Sequence, residues 1–139
     1  MKIAAFLLII STLLTACSTM STHVEPKVDL KQYKHLYVEH RLADGRGLDA
    51  LMAKELQSLG YDAAYGPVTL MPKESQIIIS YEDRWTWDFT SYMIELDVTL
   101  RDARSGKYLG YGRYSNPTFR GNSSDDMIHK VLVPLFKRS

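Results

Sequence analysis

The chain predicts an α+β fold, a largely antiparallel sheet of four to five strands with two helices packed on one face. Three observations carry that prediction. Side chains alternate with a period of two from Gln76 to Arg101, interrupted by one turn. A further alternating segment follows at Lys107–Tyr114. Apolar residues spaced by three and four flank these strands, at Leu48–Leu59 before them and Met127–Leu135 after them.

The first strand is expected at His35-Leu36-Tyr37-Val38-Glu39, which is rich in β-branched and aromatic side chains. Leu48, Leu51, Met52, Leu56 and Leu59 then form the apolar stripe of a helix. Asp44 or Asp49 suits its positive end, and Gly60 is placed to follow its last turn. A brief strand over Tyr61–Tyr65 leads into a loop punctuated by Gly66-Pro67 and Met71-Pro72.

Between Gln76 and Phe89, Ile77, Ile79, Tyr81, Asp83, Trp85, Trp87 and Phe89 share one face. A turn centred on Thr90-Ser91 would set Trp87 opposite Ile94, Trp85 opposite Leu96, Asp83 opposite Val98 and Tyr81 opposite Leu100. Arg84 would then meet Asp97 on the other face. A second hairpin, turning at Ala103-Arg104-Ser105-Gly106, pairs Leu100 with Leu109 and Val98 with Tyr111. That register puts Gly110 and Gly112 beside Tyr108 and Tyr114. Two glycines within a strand point to a bulge or to close approach by another backbone. The last helix has Asn122, Ser123 and Ser124 as candidate caps, Asp125 and Asp126 at its positive end, and Pro134 near its close.

The N-terminus has a different character. Lys2 and the apolar stretch Ile3–Leu13 make a segment too short to span a bilayer, which needs about 20 residues. It closes on Leu14-Thr15-Ala16-Cys17, which holds the single cysteine of the chain. This tetrad resembles the lipobox of bacterial lipoproteins. The resemblance implies a signal peptide over 1–16, cleavage between Ala16 and Cys17, and a diacylglyceryl thioether plus an N-acyl chain such as palmitate on Cys17. Several acyl chains hold a protein on a membrane where one does so only marginally. Ser18 follows, where the enteric lipoproteins that this signal resembles carry Asp if they stay in the inner membrane, so the outer membrane is the expected address. Residues 17–32 are poor in large apolar side chains and read as a lipidated flexible tether, with a reach of about 50 Å when extended. Residues 33–139 are then one periplasmic domain.

Composition excludes several functions. The chain has 17 basic and 16 acidic residues with no basic block, so nucleic acid is not an expected partner. His23, His35, His40 and His129 fit no metal-binding spacing, no glycine-rich phosphate loop follows a strand, and no nucleophile elbow is present. No metal, cofactor or catalytic set is expected. The nearest approach to one is Asp83, Arg84, Trp85, Trp87, Asp88 and Tyr92, an acid among aromatics, where a carboxyl can be drawn into acid–base work.

At this point the mature chain resembles a family of small, uncharacterised Gram-negative outer-membrane lipoproteins with a β-α-β-β-β-β-α domain. The matching residues are Tyr33-Lys34-His35-Leu36, Leu56 with Leu59-Gly60-Tyr61, Tyr81-Glu82-Asp83-Arg84-Trp85-Thr86-Trp87-Asp88, Tyr92, Gly110, Gly112 and Leu135-Phe136. The resemblance implies the fold and the address and no reaction. Two functions follow as expectations. The first is a non-enzymatic envelope module that docks another envelope protein through a patch of Arg84, Trp85, Trp87, Tyr92, Tyr108 and Tyr114. The second is a lipid- or glycan-binding lipoprotein with a pocket lined by Trp85 and Trp87.

Overall fold

The computed structural model describes residues 18–117 and 123–137. The expected signal peptide over 1–16, with its cleavage site at Ala16 and Cys17, lies outside the described residues, as does the cap candidate Asn122. Ten elements follow in chain order: β1 (Thr19–Val24), a 3-10 turn (Leu30–Gln32), β2 (His35–Glu39), α1 (Leu48–Ser58), β3 (Asp62–Gly66), a second 3-10 turn (Val68–Leu70), β4 (Ile77–Asp88), β5 (Thr90–Asp102), β6 (Tyr108–Ser115) and α2 (Ser124–Lys137). The sheet has six strands in the order β1-β6-β5-β4-β2-β3. It is mixed, because β2 runs parallel to both β3 and β4 while the other pairs are antiparallel. Among the described residues, no helix is long and apolar enough to cross a membrane.

Both helices form where the apolar stripes require. Leu48, Met52 and Leu56 of α1, with Met127, Val131, Leu132 and Leu135 of α2, lose all exposure against one face of the sheet. That face supplies Leu36, Val38, Ile77, Ile79, Leu96, Val98 and Leu100, and each such side chain stabilises the fold by about 2 kcal/mol. The Ser123 hydroxyl caps α2 by accepting from the Asp126 backbone N–H at 3.1 Å. Gly60 ends α1 with φ +98°, a conformation that costs a β-carbon dearly.

The expected tether is where sequence and structure part. Residues 19–24 are not a linker but an edge strand, antiparallel to β6 from Thr19 opposite Ser115 to Val24 opposite Gly110. Leu30, also within the expected tether, is completely buried. Tyr61 donates to its carbonyl at 3.3 Å and packs edge-on against Phe136 at 5.1 Å. A strand of Thr, Ser and His reads as a linker because it brings few apolar atoms. What seats it is room. A β-carbon at Gly110 would lie 2.5 Å from the His23 carbonyl oxygen, and one at Gly112 would lie 3.0 Å from Val131 Cγ1. The two glycines therefore admit the chain's own first strand and its last helix.

The expected registers are also corrected. The β4–β5 turn sits at Phe89, with φ +60°, one residue before the expected Thr90-Ser91. Tyr81 thus meets Val98, Asp83 meets Leu96, and Arg84 meets Glu95 instead of Asp97. A two-residue shift keeps the faces. A bulge between Arg84 and Trp85 leaves Ile94 without an opposite residue, so Trp85 meets Met93, which takes the fully buried position expected of Ile94. In β6, Tyr108 meets Arg101 as expected, but a second bulge at Leu109 puts Gly110 opposite Leu100 and Gly112 opposite Val98. That one-residue slip carries Tyr114 to the helix face.

Candidate functional site

The densest polar network lies where β2 ends and α1 begins. The loop between them wraps Asp44 into a buried position beneath Tyr81 of β4. Asp44 Oδ1 accepts from the Arg46 N–H at 2.8 Å, and Oδ2 accepts from the Leu48 N–H at 2.8 Å and the Tyr81 hydroxyl at 2.7 Å. Burial alone pushes this carboxyl up; the Tyr81 hydroxyl and the N–H groups of Arg46, Leu48 and Asp49 outweigh it and hold the group below the usual carboxylate value. Burial and the bond to Asp44 push the Tyr81 phenol well above its ordinary value, so it stays a donor at any physiological pH.

Two further contacts extend the network. His40 Nδ1 lies 3.0 Å from Asp49 Oδ2. Asp83 accepts from Arg41 Nη1 at 2.7 Å and from the Trp85 indole N–H at 2.6 Å, while the Arg46 guanidinium lies 3.7 Å over the Trp85 ring. His40, Asp44 and Asp49 each offer a ligand atom within 4.8 Å of the others, a grouping their sequence spacing does not reveal. The Asp44 oxygens are nevertheless already taken by three donors. The helix N-terminus, where a sheet of this type commonly receives an anion, is filled by the protein's own carboxylate. The network is built to fix the loop.

The candidate patch expected from sequence divides among four places. Arg84 and Tyr108 lie on the sheet face away from the helices. Trp85 is half-buried in the network just described, whereas Trp87 stands out at the hairpin tip, 72% exposed. Tyr92 pairs with Thr86 on the far side of the same tip. Tyr114 is not a surface residue: it is 8% exposed, with Lys130 Nζ 5.0 Å from its ring. The patch therefore does not form as one surface. Nor do Trp85 and Trp87 line a cavity between helices and sheet, because core side chains fill that space. The site residues that sequence reasoning passed over, His40, Arg41, Arg46 and Tyr81, meet across about forty positions of chain. Local signals marked Asp44 and Asp49 as helix-capping acids and Asp83 and Trp85 as an acid beside an aromatic ring, without showing that they join.

The helix-free face carries the charge lattice. Arg113 forks onto Asp97 at 2.7 and 3.1 Å and lies 3.9 Å from Glu95, which Arg84 approaches at 3.4 Å. Ser80, Thr99, Arg101 and Tyr111 line a shallow depression beside it. Ser21 on β1 reaches the Tyr111 hydroxyl at 3.2 Å, which ties the edge strand to the same face.

Fold and surface together define a small α+β domain with a mixed six-stranded sheet, helices on one face and a charged open face on the other. Among solved structures this fold is similar to PelC from Paraburkholderia phytofirmans, crystallised as a dodecamer, with a TM-score of 0.62 at 14% identity over 86% of this chain and 98% of that one. A dodecamer of a single-substitution variant of the same protein gives 0.59 at 13% identity, over 85% and 97%. A DUF4136 family protein from Bacteroides thetaiotaomicron gives 0.48 at 9% identity, over 70% and 82%. No protein-family model matches the sequence, and no curated protein matches it significantly. At these identities the likeness is one of fold.

Proposed function

We propose that the protein is a non-enzymatic, lipid-anchored module of the bacterial outer membrane that works by docking envelope proteins, copies of itself among them, on its uncovered sheet face. The observation that carries the reading is that face. The helices pack on one side of the sheet, while the other presents Arg84, Glu95, Asp97, Tyr108, Tyr111 and Arg113 to solvent or near it. Charged and aromatic groups on a rigid sheet make a surface suited to selecting a partner. The likeness to a fold crystallised as a dodecamer supports self-association as one form of docking. The lipobox resemblance supports the anchor on Cys17. The reading as a non-enzyme is supported by the paired state of the inner network, where Asp44 accepts from the Tyr81 hydroxyl and Asp83 accepts from Arg41 and Trp85.

In-cell photocrosslinking tests it, with photoreactive residues at Arg84, Tyr108 and Tyr111 of the full chain. Adducts to a second copy or to one envelope protein support the reading. A folded, membrane-fractionated protein that gives no protein adduct from any of the three positions removes it.

A further inference from the structure

Four of the exposed large apolar side chains lie at one end of the sheet. Phe89 is 91% exposed at the β4–β5 turn, Trp87 is 72% exposed beside it, Leu42 is 98% exposed in the loop that follows β2, and Met20 is partly exposed near the start of β1. The register puts them together. Thr19 is level with Ser115, Ser115 with Glu95, and Glu95 with Arg84. From Arg84 the hairpin continues five residues further to Phe89, about 16 Å of strand. Because β2 runs parallel to β4, its C-terminal end and Leu42 face the same way.

The N-terminus also leaves from this end. Ser18 adjoins the first strand residue, and Cys17 precedes it, so the two residues from Cys17 to Thr19 reach at most about 7 Å. With the expected tether absorbed into the sheet, a lipid on Cys17 would hold this end against the bilayer, with the hairpin reaching further than the anchor. Trp87 and Phe89 have ring centroids 6.3 Å apart, and most of each side chain stays exposed. Phe89 even occupies the left-handed region, which favours Gly or Asn, not a bulky ring. Behind the rings stand Arg41, Arg46 and Arg84, the first and last with 39% and 68% of their side chains exposed although paired. Aromatic rings at the leading edge with guanidinium groups a few residues behind match the order of a membrane interface, in which aromatics sit at head-group depth and cations meet the phosphates. By sequence, Asp88 is the single charged residue from Trp85 to Met93, which suits insertion to head-group depth and no deeper.

We propose that the Trp87–Phe89 hairpin tip inserts into the head-group layer of the phospholipid leaflet that holds Cys17, as a second membrane contact fixing the orientation of the domain. The proposal rests on the lipid-anchor reading, and its test separates the two. The full chain is expressed with its signal peptide, purified with Cys17 modification read by mass spectrometry, and reconstituted into phosphatidylethanolamine–phosphatidylglycerol vesicles containing a brominated lipid. In a Trp85→Phe variant, Trp87 is the single indole. The expected result is blue-shifted emission from which the brominated lipid removes most of the intensity. Should Trp85→Phe fail to fold, a Phe89→Cys variant labelled with an environment-sensitive fluorophore gives the same readout and keeps both tryptophans. A label at Arg104→Cys, in the turn at the other end of the sheet, should remain unquenched. A lipidated protein with an unquenched tip overturns the proposal and leaves the anchor standing. Equal quenching at both ends overturns it as non-specific adsorption, and an unmodified Cys17 overturns the anchor together with the proposal built on it.

Discussion

The two faces of the sheet follow opposite rules. The helix face is dry, and its stability depends on volume: Leu96, Val98 and Leu100 have no exposure, and even a missing β-carbon at Gly112 is matched by Val131 and Leu135 moving in. On the open face the side chains keep to solvent and pair by charge, where an exposed ion pair is worth little. The same strands serve both. A residue's consequence is thus set by its parity within the strand, more than by its chemical type.

The contrast is broken most strongly at the core. Leu100→Ala should cost about 3 kcal/mol in chemical denaturation, while the neighbouring Thr99→Ala on the open face should stay within about 0.5 kcal/mol. A Thr99 variant as costly as the Leu100 variant would end the distinction between faces. Next is Asp44→Asn, expected to cost about 2 kcal/mol, because the substitution exchanges an acceptor of three hydrogen bonds for a weaker one beneath Tyr81. Its pH dependence sharpens the point. Since the folded state depresses the Asp44 carboxyl, the stability it confers is complete above its unfolded value of about 3.9 and is lost as pH falls through the lower folded value. Asn at 44 should flatten that acid limb.

Tyr81 has the opposite sign: its raised phenol contributes fully below about pH 10 and loses its contribution as pH climbs beyond. Tyr81→Phe should therefore lessen alkaline sensitivity, at a cost of about 1 kcal/mol near neutrality. Gly110→Ala should cost about 1–2 kcal/mol by pressing on the His23 carbonyl, with amide exchange rising first over residues 19–24. The smallest effect is expected of Arg113→Ala, which should leave the thermal midpoint unchanged within error at physiological salt.

Sequence showed the helices and the alternating strands clearly, because apolar spacing is a local signal and the core obeys it. Leu48, Met52 and Leu56 could be assigned without knowing what they touch. The bulges were hidden for a physical reason. Ile94 is as apolar as Met93, and Leu109 falls within the alternation as a core residue of a regular strand would, so nothing in the pattern shows which residue leaves the ladder. Tyr114 was placed on the wrong face by that single slip. The edge strand was hidden too, since Thr19–Val24 contributes backbone pairing more than apolar area, and the space it occupies is left by Gly110, nearly ninety residues away. The inner network was legible only in part. Asp83 drew notice for its aromatic neighbours, but its true partner Arg41 lies on another strand's exit loop.

Having the first strand inside the sheet also decides how the molecule bears a load. Tension applied at residue 18 runs along the axis of β1, and its hydrogen bonds to β6 lie across that axis. Such a pull shears the whole ladder at once instead of unzipping it bond by bond. A flexible leash would take up slack before loading the fold; here a tug at residue 18 is felt at once by β6 and by Gly110, against which the strand is seated.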